Sequence, residues 1–170
     1  MTDDLPDAIS KQEFRSTMGL FAGAVTLITT GTGAGRRGLT ATAVCALTDT
    51  PPSLLVCVNL SSATHQAMVE NGRFSVQLLS DQDEDLALHF AGATGAEGAD
   101  KFSAGDWGEC RGAQPRLKSA LASVSCVVDG QNTVGSHSVF IGRIVEVCLS
   151  PDRESLVYAR SRFHGLRAGR

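Results

Sequence analysis

Val25-Thr26-Leu27-Ile28-Thr29-Thr30, then Gly31-Thr32-Gly33-Ala34-Gly35-Arg36-Arg37-Gly38, then Leu39-Thr40-Ala41-Thr42-Ala43-Val44: the reading of this stretch decides the fold. The first block is β-branched and reads as a strand. The middle block is glycine-rich and reads as a flexible turn. The last block is strand-forming again, so the whole is a hairpin. That order also disposes of the dinucleotide reading that Gly31-x-Gly33-x-Gly35 invites. Such a fingerprint runs from strand through turn into helix, with its third glycine further along; here a strand follows.

Outward from the hairpin, the other elements fall into place. Upstream, Ser10 and Glu13 have capping-box spacing, and Phe14, Met18 and Phe21 follow at helical spacing, which predicts a helix from 11 to about 21. Downstream, Pro51-Pro52 punctuates the chain before a strand over 53–59. Leu54 to Val58 are apolar on both faces, which predicts a central strand. Ser61-Ser62-Ala63-Thr64 opens a short helix that Asn71-Gly72 stops. Residues 74–79 alternate as a strand, and 81–90 read as a helix with acidic residues in its first turn. Residues 91–116 show little periodicity and read as one long loop, a length usually functional or mobile. Strands are predicted over 121–128, 138–149 and 155–159, followed by a basic tail over 160–170. The expected class is mainly β: an antiparallel barrel or sandwich with a few short helices at its ends.

Composition sets the bounds on function. The chain has 170 residues, a length for one domain, and a net charge of −3, which excludes a strongly basic nucleic-acid binder. Aromatics are 5%, too few for base-stacking platforms. The five cysteines, Cys45, Cys57, Cys110, Cys126 and Cys148, include no CxxC pair and read as buried structural thiols. The four histidines form neither HxH nor HExxH, so no metal site is expected. Met1-Thr2-Asp3-Asp4 is acidic and does not read as a signal peptide, and the longest apolar stretch, 20–25, is far short of a membrane span. A soluble, cytoplasmic protein is expected, without nucleic-acid or membrane partners.

Three segments are candidate ligand contacts. Thr40-Ala41-Thr42-Ala43 is made of small residues that let a flat ligand lie against the backbone, although ordinary strands also look like this. Ser61-Ser62-Ala63-Thr64, at a helix start, offers free N–H groups and hydroxyls to an anion, although it also serves as a plain N-cap. His137, in Gly135-Ser136-His137 before a strong strand, is a ligand contact or a solvated histidine. No GxSxG elbow or other activated nucleophile appears.

Taken in order, these segments resemble a known family. Gly38 to Cys45 (G-L-T-A-T-A-V-C) and Thr48 to Asn59 (T-D-T-P-P-S-L-L-V-C-V-N) are similar to the short-chain flavin reductases, the reductase components of two-component monooxygenases. The likeness runs on through His89-Phe90-Ala91-Gly92, Phe102-Ser103, Gln114-Pro115, Leu117-Lys118, Leu121-Ala122-Ser123, Gly135-x-His137 and Arg162-Phe163-His164. It spans about residues 14–166 and looks nearest to the reductases that serve 4-hydroxyphenylacetate and chlorophenol monooxygenases.

The resemblance implies a split β-barrel of Greek-key, FMN-binding type, filling one domain over 1–170 and forming a homodimer. It implies FAD (or FMN) bound in a groove by the central strands, with NADH as the reductant. Reduced flavin would diffuse to a separate oxygenase acting on an aromatic compound. Thr40, Ala41, Thr42, Ala43 and Val44 would line the flavin ring. Asn59, Leu60, Ser61, Ser62 and Thr64 would take the ribityl and phosphate end, and Phe90, Lys101 and Phe102 would close the site. His137, Arg162 and Phe163 would face the nicotinamide. Ser136 stands where many relatives have aspartate, which bears on the pyridine-nucleotide contacts. NADPH would need a cation for its 2′-phosphate, for which Arg36, Arg37, Arg160 and Arg162 are candidates. No catalytic acid–base residue is expected, because the cofactors carry the chemistry. The alternatives are a non-enzymatic flavin carrier on the same barrel and a pyridoxamine-phosphate-oxidase-like enzyme.

Overall fold

The computed structural model describes residues 8–150 and 152–166, so the N-terminal reading and the far end of the basic tail lie outside the described residues. Helix α1 is Lys11–Met18, capped as its sequence predicts: Glu13 N donates to Ser10 Oγ at 3.2 Å, and Ser10 N to Glu13 Oε2 at 2.9 Å. It stops short of 21 and buries none of its residues. After β1 (Gly23–Ala24), the hairpin forms from β2 (Thr26–Thr30) and β3 (Arg37–Ala41), with Thr30 opposite Arg37.

The predicted 39–44 strand is broken at Thr42–Ala43, and the chain continues as β4 (Val44–Asp49), a different edge of the sheet. β5 (Pro52–Asn59), α2 (Ala63–Asn71), β6 (Arg73–Leu78) and α3 (Glu84–Phe90) follow the expected order. Gly72 closes α2 in the left-handed conformation, at φ 61°, as a helix-stopping glycine does. The 91–116 stretch is not structureless. It holds a 3₁₀ segment (Gly98–Ser103) and a small hairpin, β7 (Trp107–Glu109) with β8 (Pro115–Leu117). Strands this short carry no readable period.

β9 (Ala122–Val134) and β10 (His137–Leu149) form a long ribbon. The sequence marked only 121–128 of the first, because 129–133 carry no apolar side chain and Val134 is exposed, with no core beneath them to impose apolar alternation. β11 (Ser155–Ala159) pairs with β12 (Arg162–Leu166), which the sequence assigned to a tail. Their turn places Arg160 and Ser161 at φ 52° and 59°. Such turns usually announce themselves with Asn or Gly, and this one does not.

The large sheet runs β3-β2-β6-β9-β10-β5-β4. Its two end strands are joined by Thr42 and Ala43 alone. Three Cα steps span at most about 11 Å, whereas seven strands laid flat would be roughly 29 Å wide. The sheet must therefore roll until its ends nearly meet. The pairing does not close between β3 and β4; instead Cys57 N bonds Ala43 O at 3.0 Å across the junction. This is a split β-barrel. β5 is next to the edge rather than central, with Leu54, Val56 and Val58 buried while Leu55 and Cys57 are half-covered.

Two cores result. Ile28, Val56, Met68, Phe74, Cys126 and Phe140 fill the barrel beside α2. Val25, Leu27, Leu79, Phe90, Phe102 and Leu117 pack around α3 and the small hairpin. Gln77, fully buried, fastens that hairpin to the sheet: its Nε2 donates to Pro115 O at 3.1 Å, and its Oε1 accepts from Leu117 N at 3.1 Å and Ser123 Oγ at 2.6 Å.

Of the cysteines, only Cys110 and Cys126 are buried; Cys57 and Cys148 are half-covered and Cys45 is exposed on β4. Burial pushes the Cys126 thiol up to about 12.

Candidate active site

Strand β3 walls two cavities along its length. Arg37, Gly38 and Leu39 line the first, of about 590 Å³; Thr40, Ala41 and Thr42 line the second, of about 600 Å³. Four strand steps cover roughly 13 Å. One backbone therefore serves two adjoining spaces, and their chemistries differ.

The first cavity is built for an anion. Ser62, Ala63 and Thr64, at the start of α2, form one side. Helix starts leave N–H groups without intrahelical partners and carry the positive end of the dipole. Ser62 Oγ accepts from Thr64 N at 3.1 Å, so the predicted cap and the predicted anion site are the same residues. Arg37 and Lys101 add two cations. Arg37 is held by bonds from Nη1 to Ala34 O at 3.0 Å and Arg36 O at 2.7 Å. Lys101 Nζ donates to Phe90 O at 2.8 Å, and burial pulls its ammonium below the ordinary lysine range. Gly92, Gly95 and Gly98 supply a wall without side chains, and Glu97 is the one acid on it.

The second cavity carries fewer charged groups. Thr40–Thr42 face Leu88 and Glu84 of α3 and Tyr158, Ser161, Arg162 and Phe163 of the β11–β12 hairpin. Phe163 is packed edge-on against Tyr158 at 5.0 Å between centroids. Small strand residues opposite an aromatic pair leave a slot for a planar ring. Thr40 does not offer its hydroxyl, which donates to Ala87 O at 2.5 Å and pins β3 to α3; Ala41 O is likewise taken by Thr26 Oγ1 at 2.7 Å.

The structure thus brings together Thr40, Ala41, Thr42, Arg162 and Phe163 in one cavity, and Ser62, Thr64 and Lys101 in the other. The remaining expected site residues lie elsewhere. Phe90 and Phe102 are 1% and 7% exposed and pack edge-on or tilted with Trp107 in the core; neither lines either of these two cavities. They support the site from below. A Cβ on Gly38 would stand 2.7 Å from Phe90 Cε1, so β3 lies directly on that ring. Ala43 and Val44 belong to the barrel junction, with Val44 packed on the barrel core. Asn59, Leu60 and Ser61 form an exposed turn, in which Asn59 Oδ1 accepts from Ser61 N at 2.9 Å and Ser61 Oγ at 2.8 Å. His137 is the first residue of β10 rather than a loop residue. It is exposed, lies opposite Asn59, and lines neither cavity.

Sequence reasoning assigned no ring-site role to Glu84, Leu88 and Tyr158 and no flavin role to the glycine wall; Arg37 entered only as a 2′-phosphate candidate. Arg37 stands in the glycine-rich turn already singled out, and Gly92, Gly95 and Gly98 recur at a spacing of three. Tyr158 and Glu84 left no such signal. Among the described residues, no group of three or more His, Cys, Asp or Glu could hold a metal ion.

A rolled antiparallel sheet with a cationic pocket and a ring slot on one strand marks the chain as a nucleotide-flavin binder of the split-barrel class. The donor set fits the group: cations and helix amides at one end, small residues and aromatics at the other. The chain belongs to the flavin reductase family, whose flavin reductase like domain matches residues 18–167. It is 42% identical over 151 residues to the 4-hydroxyphenylacetate 3-monooxygenase reductase component of Escherichia coli, covering 89% of each chain. It is 39% identical over 159 residues to the FMN reductase (NADH) RutF of Pantoea ananatis, covering 94% of this chain and 83% of that one. Among solved structures, the NADH:FAD oxidoreductase SgcE6 of Streptomyces globisporus C-1027 superposes with a TM-score of 0.87 at 28% identity, over 97% of this chain and 98% of that one.

Proposed function

We propose that the protein is an NADH-dependent flavin reductase, the reductase component of a two-component aromatic monooxygenase. It binds FAD, or FMN, as a second substrate and releases it reduced to a separate oxygenase. The observation that carries this reading is the pair of unlike cavities on β3. The reaction balances as NADH + H⁺ + FAD → NAD⁺ + FADH₂. The flavin supplies the chemistry by accepting a hydride at its ring. The protein's task is to hold two rings within about 3.5 Å of each other.

Ser62, Thr64, Arg37 and Lys101 hold the phosphate end. Thr40, Ala41 and Thr42 offer the ring one face, and Arg162 and Phe163 border the side from which nicotinamide arrives. The name of the E. coli relative supports a separate oxygenase. RutF is named for FMN and SgcE6 for FAD, and both names include NADH. Release of a diffusing product argues for micromolar flavin affinity, about −8 kcal/mol.

A homodimer of one flavin reductase domain per chain, acting in the cytoplasm, completes the proposal. α1 supports the dimer: it buries no residue, and Phe14, Met18 and, beyond its end, Phe21 are exposed. No described helix is long and apolar enough to cross a membrane.

Steady-state NADH oxidation with FAD, FMN and riboflavin compared is the test. A rate that climbs with added free flavin is expected. A protein that stays stoichiometrically yellow after dialysis and oxidises no NADH is a carrier, and the proposal fails.

A further inference from the structure

His89 belongs to the His89-Phe90-Ala91-Gly92 block, which carried part of the resemblance without a role. It sits in the last turn of α3, half-buried, with its ring edge-on to Phe90. Both ring nitrogens are engaged: Nε2 lies 3.0 Å from Lys101 O, and Nδ1 lies 2.7 Å from Thr94 Oγ1. A carbonyl only accepts, so Nε2 carries the proton and donates; Nδ1 then accepts from the Thr94 hydroxyl. One neutral tautomer satisfies both contacts.

The contacts bracket the wall of the first cavity. Thr94 stands between Gly92 and Gly95, and Lys101 lies just beyond Gly98. These glycines have φ of 99°, 74° and 53°, values that favour glycine and leave the segment costly to order. Lys101 Nζ returns a bond to Phe90 O, the residue after His89. His89 itself lines a neighbouring cavity of about 420 Å³ together with Thr94, and stands behind the anion-binding wall rather than in it.

We propose that His89 is a positioning residue for the phosphate end of the flavin site: its ring clamps the 92–98 segment and the Lys101 backbone in the conformation that receives the phosphate. The proposal rests on the reading of the first cavity given above.

The test compares His89→Ala, His89→Gln and His89→Asn, each assayed for NADH oxidation with FAD, FMN and riboflavin. Gln places an amide N–H where Nε2 was and keeps the bond to Lys101 O; Asn reaches only the Nδ1 position. His89→Ala is expected to raise KM for FAD and FMN roughly five- to tenfold, the loss of two neutral hydrogen bonds. KM for riboflavin, and kcat with all three, should stay within about twofold. His89→Gln, which keeps the Lys101 bond, and His89→Asn, which keeps the Thr94 bond, should each recover only part of the loss. Equal effects on the three flavins, no effect on any, or full rescue by either single replacement each overturn the proposal. If His89→Ala does not fold, the Gln and Asn variants carry the comparison alone. If the wild-type protein reduces no flavin, the flavin reading itself has failed. Amide exchange over 92–98 then tests the clamp separately, with faster exchange in His89→Gln, which loses the Thr94 contact, than in the wild-type protein expected and equal exchange overturning it.

Discussion

The two cavities along β3 share a strand and differ in nearly everything else. The first draws its walls from a helix start, a glycine segment and two cations; the second draws them from small strand residues, a helix flank and an aromatic hairpin. One recognises charge by backbone donors and long cationic side chains. The other recognises shape by having little in the way. A ligand that fills both must be flat at one end and anionic at the other. Removing one end of it should therefore separate the two regions experimentally.

The largest expected effect abolishes the distinction. Phe90 lies under β3, touching the strand at Gly38, in the wall of the first cavity and two residues before the second begins. Phe90→Ala should cost about 3–5 kcal/mol of stability, a large share of the roughly 5–15 kcal/mol typical of a domain. Urea denaturation measures it. Flavin affinity should fall for FAD, FMN and riboflavin alike, in step with unfolding. Unchanged stability with a selective flavin defect would restore Phe90 to the ligand wall, where the sequence had placed it.

Ser62→Asp should separate the cavities cleanly. Aspartate caps a helix about as well as serine, so thermal stability should hold. The added charge faces the phosphate end, and KM for FAD and FMN should rise roughly tenfold or more. Riboflavin, lacking phosphate, should change by less than about twofold. Equal losses for all three would show that the first cavity does not receive the phosphate.

Lys101 makes the same separation by pH. Burial lowers its pKa from the ordinary 10.5. The ammonium that attracts phosphate is present below that lowered value and is lost as pH rises through it. KM for FMN should accordingly climb at alkaline pH, by roughly three- to tenfold, ahead of any change for riboflavin. Lys101→Met should flatten the difference between the two flavins. A parallel rise for both would assign the titration to another group.

The comparison also explains what could be read from the chain. Ser62 and Thr64 were legible because capping and anion binding use the same residues at the same place. Thr40 to Thr42 were legible as small strand residues, although not the diversion of the Thr40 hydroxyl to Ala87 O. Phe90 and Phe102 were placed in the site on the family resemblance alone; only packing shows that they face inward. The break at Thr42–Ala43 escaped notice because nothing in T-A-T-A-V marks the point where a rolled sheet ends and begins again. β12 escaped because Arg160 and Ser161 carry the turn that glycine or asparagine usually marks.

The smallest expected effect concerns the residue that belongs to neither region. His137 is exposed, its Nδ1 lies 2.9 Å from Ser136 Oγ, and its strand neighbour is Asn59. It lines neither the phosphate-end cavity nor the ring slot of its own chain. Hydride transfer from NADH to flavin needs no base at the donor carbon, so a contact with nicotinamide could contribute only positioning. His137→Ala should leave KM for all three flavins within about twofold and raise KM for NADH by no more than one neutral hydrogen bond allows, about two- to twelvefold. Steady-state kinetics with NADH varied at saturating FAD reads this directly. A loss of several orders of magnitude would contradict both the exposed position and the purely positional role, and would require His137 to act on a ring bound outside the two cavities of its own chain.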